Sequence, residues 1–218
     1  MRWQQDLIKD IRYFDSRDDE DQNSILFSGD IPIYPPIMHF NGVKTSAFSP
    51  LNQMLLKQEF LKVKNCKCIL EIGVSANPNY ELTSTNTLLS NKSDDCVYIG
   101  IDIMPKPHIL SKAKNVHFIQ DRSENFEVVK NKLKEVGRSH IDVLMIDGWH
   151  SINQVLLEWE YTEFLSEEGL VIFHDTRSHP GPHLFVKYLD KNKWDVVENA
   201  CNTDNDYGIG FVKRKIYK

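Results

Sequence analysis

The chain has 218 residues, of which 41% are hydrophobic and 26% charged, with a formal net charge of −5. That suits one α/β domain with added elements, or at most two small ones. No apolar run approaches the roughly 20 residues of a membrane helix, and no basic stripe marks a nucleic-acid surface. The N-terminus mixes charges with its apolar residues, unlike a signal peptide, so the chain reads as a cytoplasmic protein without nucleic-acid or membrane partners. Four cysteines, two of them in "CKC" at 66 to 68, have neither the context of a disulfide framework nor the spacing of a zinc site. Cys68 reads as a small buried residue opening a strand.

Residues 1–60 read as a helical and irregular extension. Trp3, Leu7, Ile8, Ile11 and Phe14 have helical spacing, and an acidic linker, "DSRDDEDQNS", follows. Residues 25 to 50 are rich in proline and aromatics, with Tyr34, His39, Phe40 and Phe48 among them. Proline disfavours helix at itself and at the residue before it, so this stretch reads as extended, either a lid over the acceptor or a packing arm. "LNQMLLKQEFLKVK" then predicts a helix.

Residues 61–218 read as one catalytic domain. Five apolar runs, "KCILEIGV", "CVYIGIDI", "NVHFIQD", "IDVLMIDG" and "GLVIFHDT", are continuous rather than alternating, the pattern of parallel strands covered on both faces. Helical stretches separate them, and Gly137 stops the one containing Phe126, Val129 and Leu133. "WDVVENA" and "YGIGFVKR", joined by "CNTDND", predict an antiparallel hairpin. The fold class is therefore a doubly wound, mostly parallel α/β sheet with a C-terminal antiparallel hairpin at its edge.

Ligands of open α/β sheets bind beyond the carboxyl ends of the strands. In this chain those ends carry Glu71 and Gly73, Asp102, Asp121 and Ser123, Asp147 and His150, and His174 and Asp175. A carboxylate at every strand end is more than loop composition supplies. Asp102, at the tip of the second strand, is placed to accept hydrogen bonds from a ribose. Asp147, taken alone, would be the cap of the helix beginning near Ser151. With Asp175 ending the next strand, the pair instead suits a divalent cation held through oxygens, and His150 suits proton removal near neutral pH. Trp149 lines the acceptor pocket or packs. His179 and His183 read as loop or helix-start residues.

"ILEIGV", "YIGIDI", "FIQDRSE" and "IDVLMIDGWHSINQVLLEWEYTEFLSEEGLVIFHDT" resemble class I S-adenosylmethionine-dependent methyltransferases, in the branch of macrocin-type sugar O-methyltransferases and cephalosporin-hydroxylase-like proteins. The resemblance runs from about residue 67 to 213. It implies a Rossmann-like seven-stranded sheet with its last strand antiparallel. It implies S-adenosylmethionine as cofactor, met by Glu71, Gly73, Asp102, Asp121, Ser123 and Asp147. It further implies Mg2+ or Mn2+ on Asp147 and Asp175, with His174 as a third ligand, and catalysis by His150 with Asp147. The expected activity is O-methylation of a small-molecule hydroxyl, with a sugar foremost, in a chain that can form homo-oligomers. Two features depart from the pattern. The loop after Gly73, "VSANPNYELTST", has no second or third glycine, so Asn77 and Asn79 are the candidates for positive φ. His174 stands where some relatives carry an acidic ligand. Other readings are a nucleotide-dependent oxidoreductase or sugar-modifying enzyme on a similar sheet, which the missing glycine fingerprint disfavours, and an inactive cofactor-binding module.

Overall fold

A computed structural model describes residues 11–12, 26–27, 48–74, 82–177, 179–198, 200 and 206–216. Each of the five continuous apolar runs is a strand: β3 (Cys68–Ile72), β4 (Val97–Asp102), β5 (Val116–Gln120), β6 (Ile141–Ile146) and β7 (Leu165–His174). Near the N-terminus β1 (Ile11–Arg12) pairs antiparallel with β2 (Leu26–Phe27). The helix expected over the first fifteen residues therefore does not pass through Ile11. The rest of that expectation lies outside the described residues, as do Tyr34, His39 and Phe40 of the expected lid and Asn77 and Asn79 of the cofactor loop.

Seven strands form one sheet in the order β5-β4-β3-β6-β7-β9-β8, with β8 at Trp194–Val197 and β9 at Ile209–Arg214. The first five in that order, β5 to β7, run parallel. The C-terminal pair is an antiparallel hairpin at the edge of the sheet, as expected, with β8 outermost. Strand β9 inserts between β7 and β8, pairing antiparallel with both. The order reverses between β3 and β6, so the crevice beyond their carboxyl ends is the ligand position of such a sheet.

Alternate residues of each strand feed cores on opposite faces. On one face Leu70, Ile72, Ile99, Leu144, Ile146 and Phe173 pack with Val129, Leu133, Trp159 and Phe185. On the other, Ile69, Tyr98, Val143, Met145 and Ile172 pack with Phe48, Leu56, Phe60 and Leu88. Covering both faces is what makes the runs apolar at consecutive positions. Full burial of each such side chain is worth about 1.5–3 kcal/mol.

The helices follow their local signals. Helix α1 (Pro50–Phe60) starts with proline in its first turn and with Ser49 as cap, whose Oγ accepts from Asn52 N at 3.0 Å. Its Leu56 and Phe60 belong to the sheet's core. Thr83 caps α2 (Ser84–Asn91) in the same way. Helix α3 (Phe126–Glu135) ends at Gly137, φ +66°, with Arg138 N bonded back to Leu133 O at 2.8 Å. Ser151 caps α4 (Ile152–Glu158), which runs into a 3-10 turn at Trp159–Phe164. Helix α5 (Pro180–Tyr188) completes the set. Among the described residues no helix is long and apolar enough to cross a membrane.

Candidate functional site

At the switch point Gly73 and Asp147 leave neighbouring strands together. Asp147 N bonds to Ile72 O at 2.9 Å and Gly73 N to Ile101 O at 3.0 Å. Gly73 has φ +79°, a conformation side chains resist. Asp102 sits one strand over. Its Oδ2 accepts from Val74 N at 3.0 Å, its Oδ1 from Met104 N at 2.8 Å, and the buried Lys106 ammonium lies 3.5 Å from Oδ2. The acid thus ties the chain after Gly73 to the end of β4.

Asp121 folds the next turn, accepting from Arg122 N at 2.7 Å and Asn125 Nδ2 at 3.0 Å. Ser123 donates to Glu158 Oε1 at 2.6 Å and accepts from Gln154 Nε2 at 2.8 Å. Glu158 is fully buried at the end of α4, its other oxygen has no partner among the described residues, and burial pushes its carboxyl up to about 7. Glu71 is equally buried. Ser84 donates to it at 2.5 Å and the Tyr98 hydroxyl also bonds it, which fastens α2 to the sheet; burial raises its carboxyl to about 7.

The ends of β6 and β7 bring together two carboxylates and two imidazoles. His174 Nδ1 lies 3.2 Å from Asp147 Oδ1 and 3.3 Å from Asp175 Oδ2. His150 Nε2 lies 2.9 Å from Asp175 Oδ2 and 3.5 Å from Asp147 Oδ1. Acids and imidazoles therefore alternate. Asp147 is not the cap of α4, a role that Ser151 takes with Gln154 N at 3.2 Å. Asp175 adopts φ +60°, a left-handed position that Asp tolerates better than most residues and that turns the chain sharply after β7.

Burial disfavours the charged imidazoles, but the facing carboxylates outweigh it. His150 is raised to about 10, His174 well above the usual histidine range, and Asp175 held well below that of a carboxylate. His179 goes the other way, down to about 4, through burial and the neighbouring His150 charge. Its ring stacks on His150 at 4.2 Å between centroids.

The same donors suit a divalent cation. One ligand atom each from Asp147, His174 and Asp175 lie within 4.8 Å of one another, and His150, Asp175 and His179 form a second such group. Two imidazolium charges balance two carboxylates in the ion-free arrangement. A divalent cation would balance them equally with the histidines neutral, so the residues fit the metal that the sequence suggested.

Several participants were not legible beforehand. His179 was expected as a helix-start residue and does precede α5, but nothing local announced its stacking on His150. Asn52, fully buried on α1, lies 3.4 Å from His174 Nε2. The signal existed: Asn52, Leu56 and Phe60 form the buried i, i+4, i+8 stripe of α1, and one of the three is polar. Phe48, named within the lid, is buried with its ring 5.3 Å from that of His174. Trp149 is partly exposed.

No family model and no curated protein matches the sequence. Solved structures do resemble it. MycE methyltransferase from the mycinamycin biosynthetic pathway, in complex with Mg, S-adenosylhomocysteine and mycinamycin VI, superposes with a TM-score of 0.53 at 17% identity, over 74% of this chain and 48% of MycE. A protein assigned as a caffeoyl-CoA O-methyltransferase from Staphylococcus aureus gives 0.50 at 20% identity, over 77% of this chain and 84% of its own. The fibrillarin/Nop5p complex gives 0.50 at 18% identity, over 77% and 81%. The fold is that of the class I methyltransferases. Within that fold the chain spans about half the length of MycE. The methyltransferase fold puts the Asp147–His174–Asp175 group beside its own switch point, one strand from Gly73.

Proposed function

We propose that the protein is an S-adenosylmethionine-dependent methyltransferase acting on a hydroxyl of a sugar or another small molecule. The observation that carries this reading is the alternating set of Asp147, His174, Asp175 and His150, gathered next to the switch point of a methyltransferase fold.

In this reading Gly73 lets the backbone approach the cofactor, Asp102 accepts from the ribose hydroxyls, and the Asp121–Ser123 turn borders the adenine. Glu71 supports the first strand end from within, through Ser84 and Tyr98. Bound S-adenosylmethionine supplies an electrophilic methyl on a sulfonium; the acceptor oxygen takes it as the carbon–sulfur bond breaks. What the protein adds is alignment and proton removal, the first worth up to about 7–11 kcal/mol when geometry is ideal. A divalent cation held by Asp147, Asp175 and His174 would make the acceptor hydroxyl more acidic.

His150 takes the hydroxyl proton at Nε2. With both carboxylates turned on it, that nitrogen is protonated at neutral pH. It would become a base if the carboxylate charge were answered by a cation instead. Asp147 and Asp175 would hold that cation, and they set the charge state of the base.

Isothermal titration with S-adenosylmethionine, S-adenosylhomocysteine and NAD tests the cofactor. Binding of the first two without NAD is expected. NAD binding alone would replace this reading with an oxidoreductase. Transfer of a labelled methyl group to a panel of sugars, phenols and hydroxy acids then identifies the acceptor.

A further inference from the structure

Asn52 lies on α1, outside the stretch that resembles methyltransferases, yet its side chain is fully buried against His174. Asn52 Nδ2 faces His174 Nε2 at 3.4 Å, and Asn52 Oδ1 has no hydrogen-bond partner among the described residues. A buried amide with a long contact on one atom and none on the other is poorly satisfied. Amide nitrogen and oxygen have nearly the same shape, and exchanging them costs no space. In the exchanged orientation Oδ1 accepts from His174 Nε2–H, and the amide nitrogen takes the other position.

That exchange decides what His174 offers on its other side. Nδ1 faces Asp147 Oδ1 and Asp175 Oδ2 at 3.2 and 3.3 Å. If Nε2 carries the proton of a neutral ring, Nδ1 presents a lone pair among carboxylate oxygens, which only a cation between them stabilises. Adjacent ligands about 2.1 Å from a metal are separated by about 3.0 Å in an octahedron and 3.4 Å in a tetrahedron. The observed separations fall in that interval.

The placement of Asn52 is anchored. Ser49 caps the helix one turn earlier and donates to the buried Asp206, whose other oxygen accepts from Gly208 N at 2.7 Å just before β9. Phe48 packs its ring against His174.

We propose that Asn52 is a positioning residue whose amide oxygen holds His174 as an Nδ1 ligand, completing with Asp147 and Asp175 a site that selects a divalent transition-metal ion over magnesium. The proposal rests on the metal reading above. Its selectivity follows from the donor set, because imidazole is a softer ligand than carboxylate or water and suits manganese or zinc better than magnesium. A hydrogen bond to the far ring nitrogen of a ligating histidine fixes its tautomer, and losing it typically weakens metal binding by about 10–100-fold.

Titration of the full chain with Mn2+, followed by the electron paramagnetic resonance of the free ion, and with Mg2+ by calorimetry, should show Mn2+ bound at least about tenfold more tightly. Asn52→Leu, which keeps the bulk and removes the acceptor, should weaken Mn2+ by about 10–100-fold while S-adenosylhomocysteine binding stays within twofold. Asn52→Asp, which can only accept, should bind Mn2+ at least as well as the parent. In the zinc-loaded parent, long-range proton–nitrogen correlation should show His174 protonated at Nε2, a measurement that needs no variant to fold. Equal affinity for Mn2+ and Mg2+, unaltered Mn2+ binding by Asn52→Leu, or a zinc-loaded His174 protonated at Nδ1 would each overturn the proposal. Absence of any metal binding alongside tight S-adenosylhomocysteine binding would remove the metal and leave the methyltransferase reading intact.

Discussion

Gly73 lies so close to Asp147 that a β-carbon at position 73 would stand 1.9 Å from the Asp147 carbonyl oxygen. The contact joins the two strand ends on either side of the switch point, so the loop after Gly73 and the acidic cluster share one piece of backbone geometry. Gly73→Ala adds both the clash and a side chain at φ +79°. Overpacking and left-handed strain together should cost about 2–5 kcal/mol. Thermal unfolding should show the loss, with S-adenosylhomocysteine binding weakened in the molecules that still fold. Parent-like stability would mean that the two strand ends can part freely.

Asp102→Asn keeps the side chain's size but removes its charge and one of the two oxygens that receive Val74 N and Met104 N. Charge-assisted hydrogen bonds to the ribose are worth about 1.5–3 kcal/mol. Affinity for S-adenosylhomocysteine should therefore fall roughly 10- to 150-fold by calorimetry. Unchanged affinity would place the ribose elsewhere.

Glu158 makes stability depend on pH. Its folded carboxyl is raised to about 7 from an ordinary 4.5. The folded state therefore holds the proton more tightly than the unfolded chain. That contribution is complete below about pH 4.5 and is lost as pH rises through about 7, by up to about 3 kcal/mol. Glu158→Gln imitates the protonated form. It should melt at the parent's temperature near pH 5 and above it at pH 8. Identical melting curves at pH 8 would show that the carboxyl ionises at no cost.

Metal loading should release protons. His150 is raised to about 10 and His174 well above the usual range by Asp147 and Asp175. A cation between those carboxylates must displace the protons that they hold. Mn2+ affinity should then be weaker at pH 6 than at pH 8, by about tenfold per pH unit for each proton displaced. Calorimetry in buffers of different ionisation enthalpy counts the protons; zero net release would show that the histidines are neutral before the metal arrives.

His150→Ala should lower kcat by about 10²–10⁴, the usual worth of a general base, with S-adenosylhomocysteine affinity nearly intact. Retained kcat would move proton removal to another group, for which the neutral His179 stacked on His150 is the nearest candidate.

Continuous apolar runs with an acid at each end are a local property of the chain. They determined the parallel strands, their helices and the edge of the sheet where the acids gather, because burial on both faces leaves a mark on every strand residue. Asp147, His150 and Asp175 were legible as one group for the same reason: they end successive strands, and successive parallel strands here are neighbours. Long-range packing decided the rest. Whether β9 lies at the edge or between β7 and β8 depends on pairings that no run of residues encodes. Glu71 looks like its fellow strand-end acids in sequence, but only the fold shows Ser84 and Tyr98 closing over it. Asn52 and His174 are 122 positions apart, and their meeting requires α1 to dock on the face of the sheet that His174 shares with Ile172. Local pattern sets which face of an element is apolar, whereas the partner met by a single buried polar atom is set by how the elements pack.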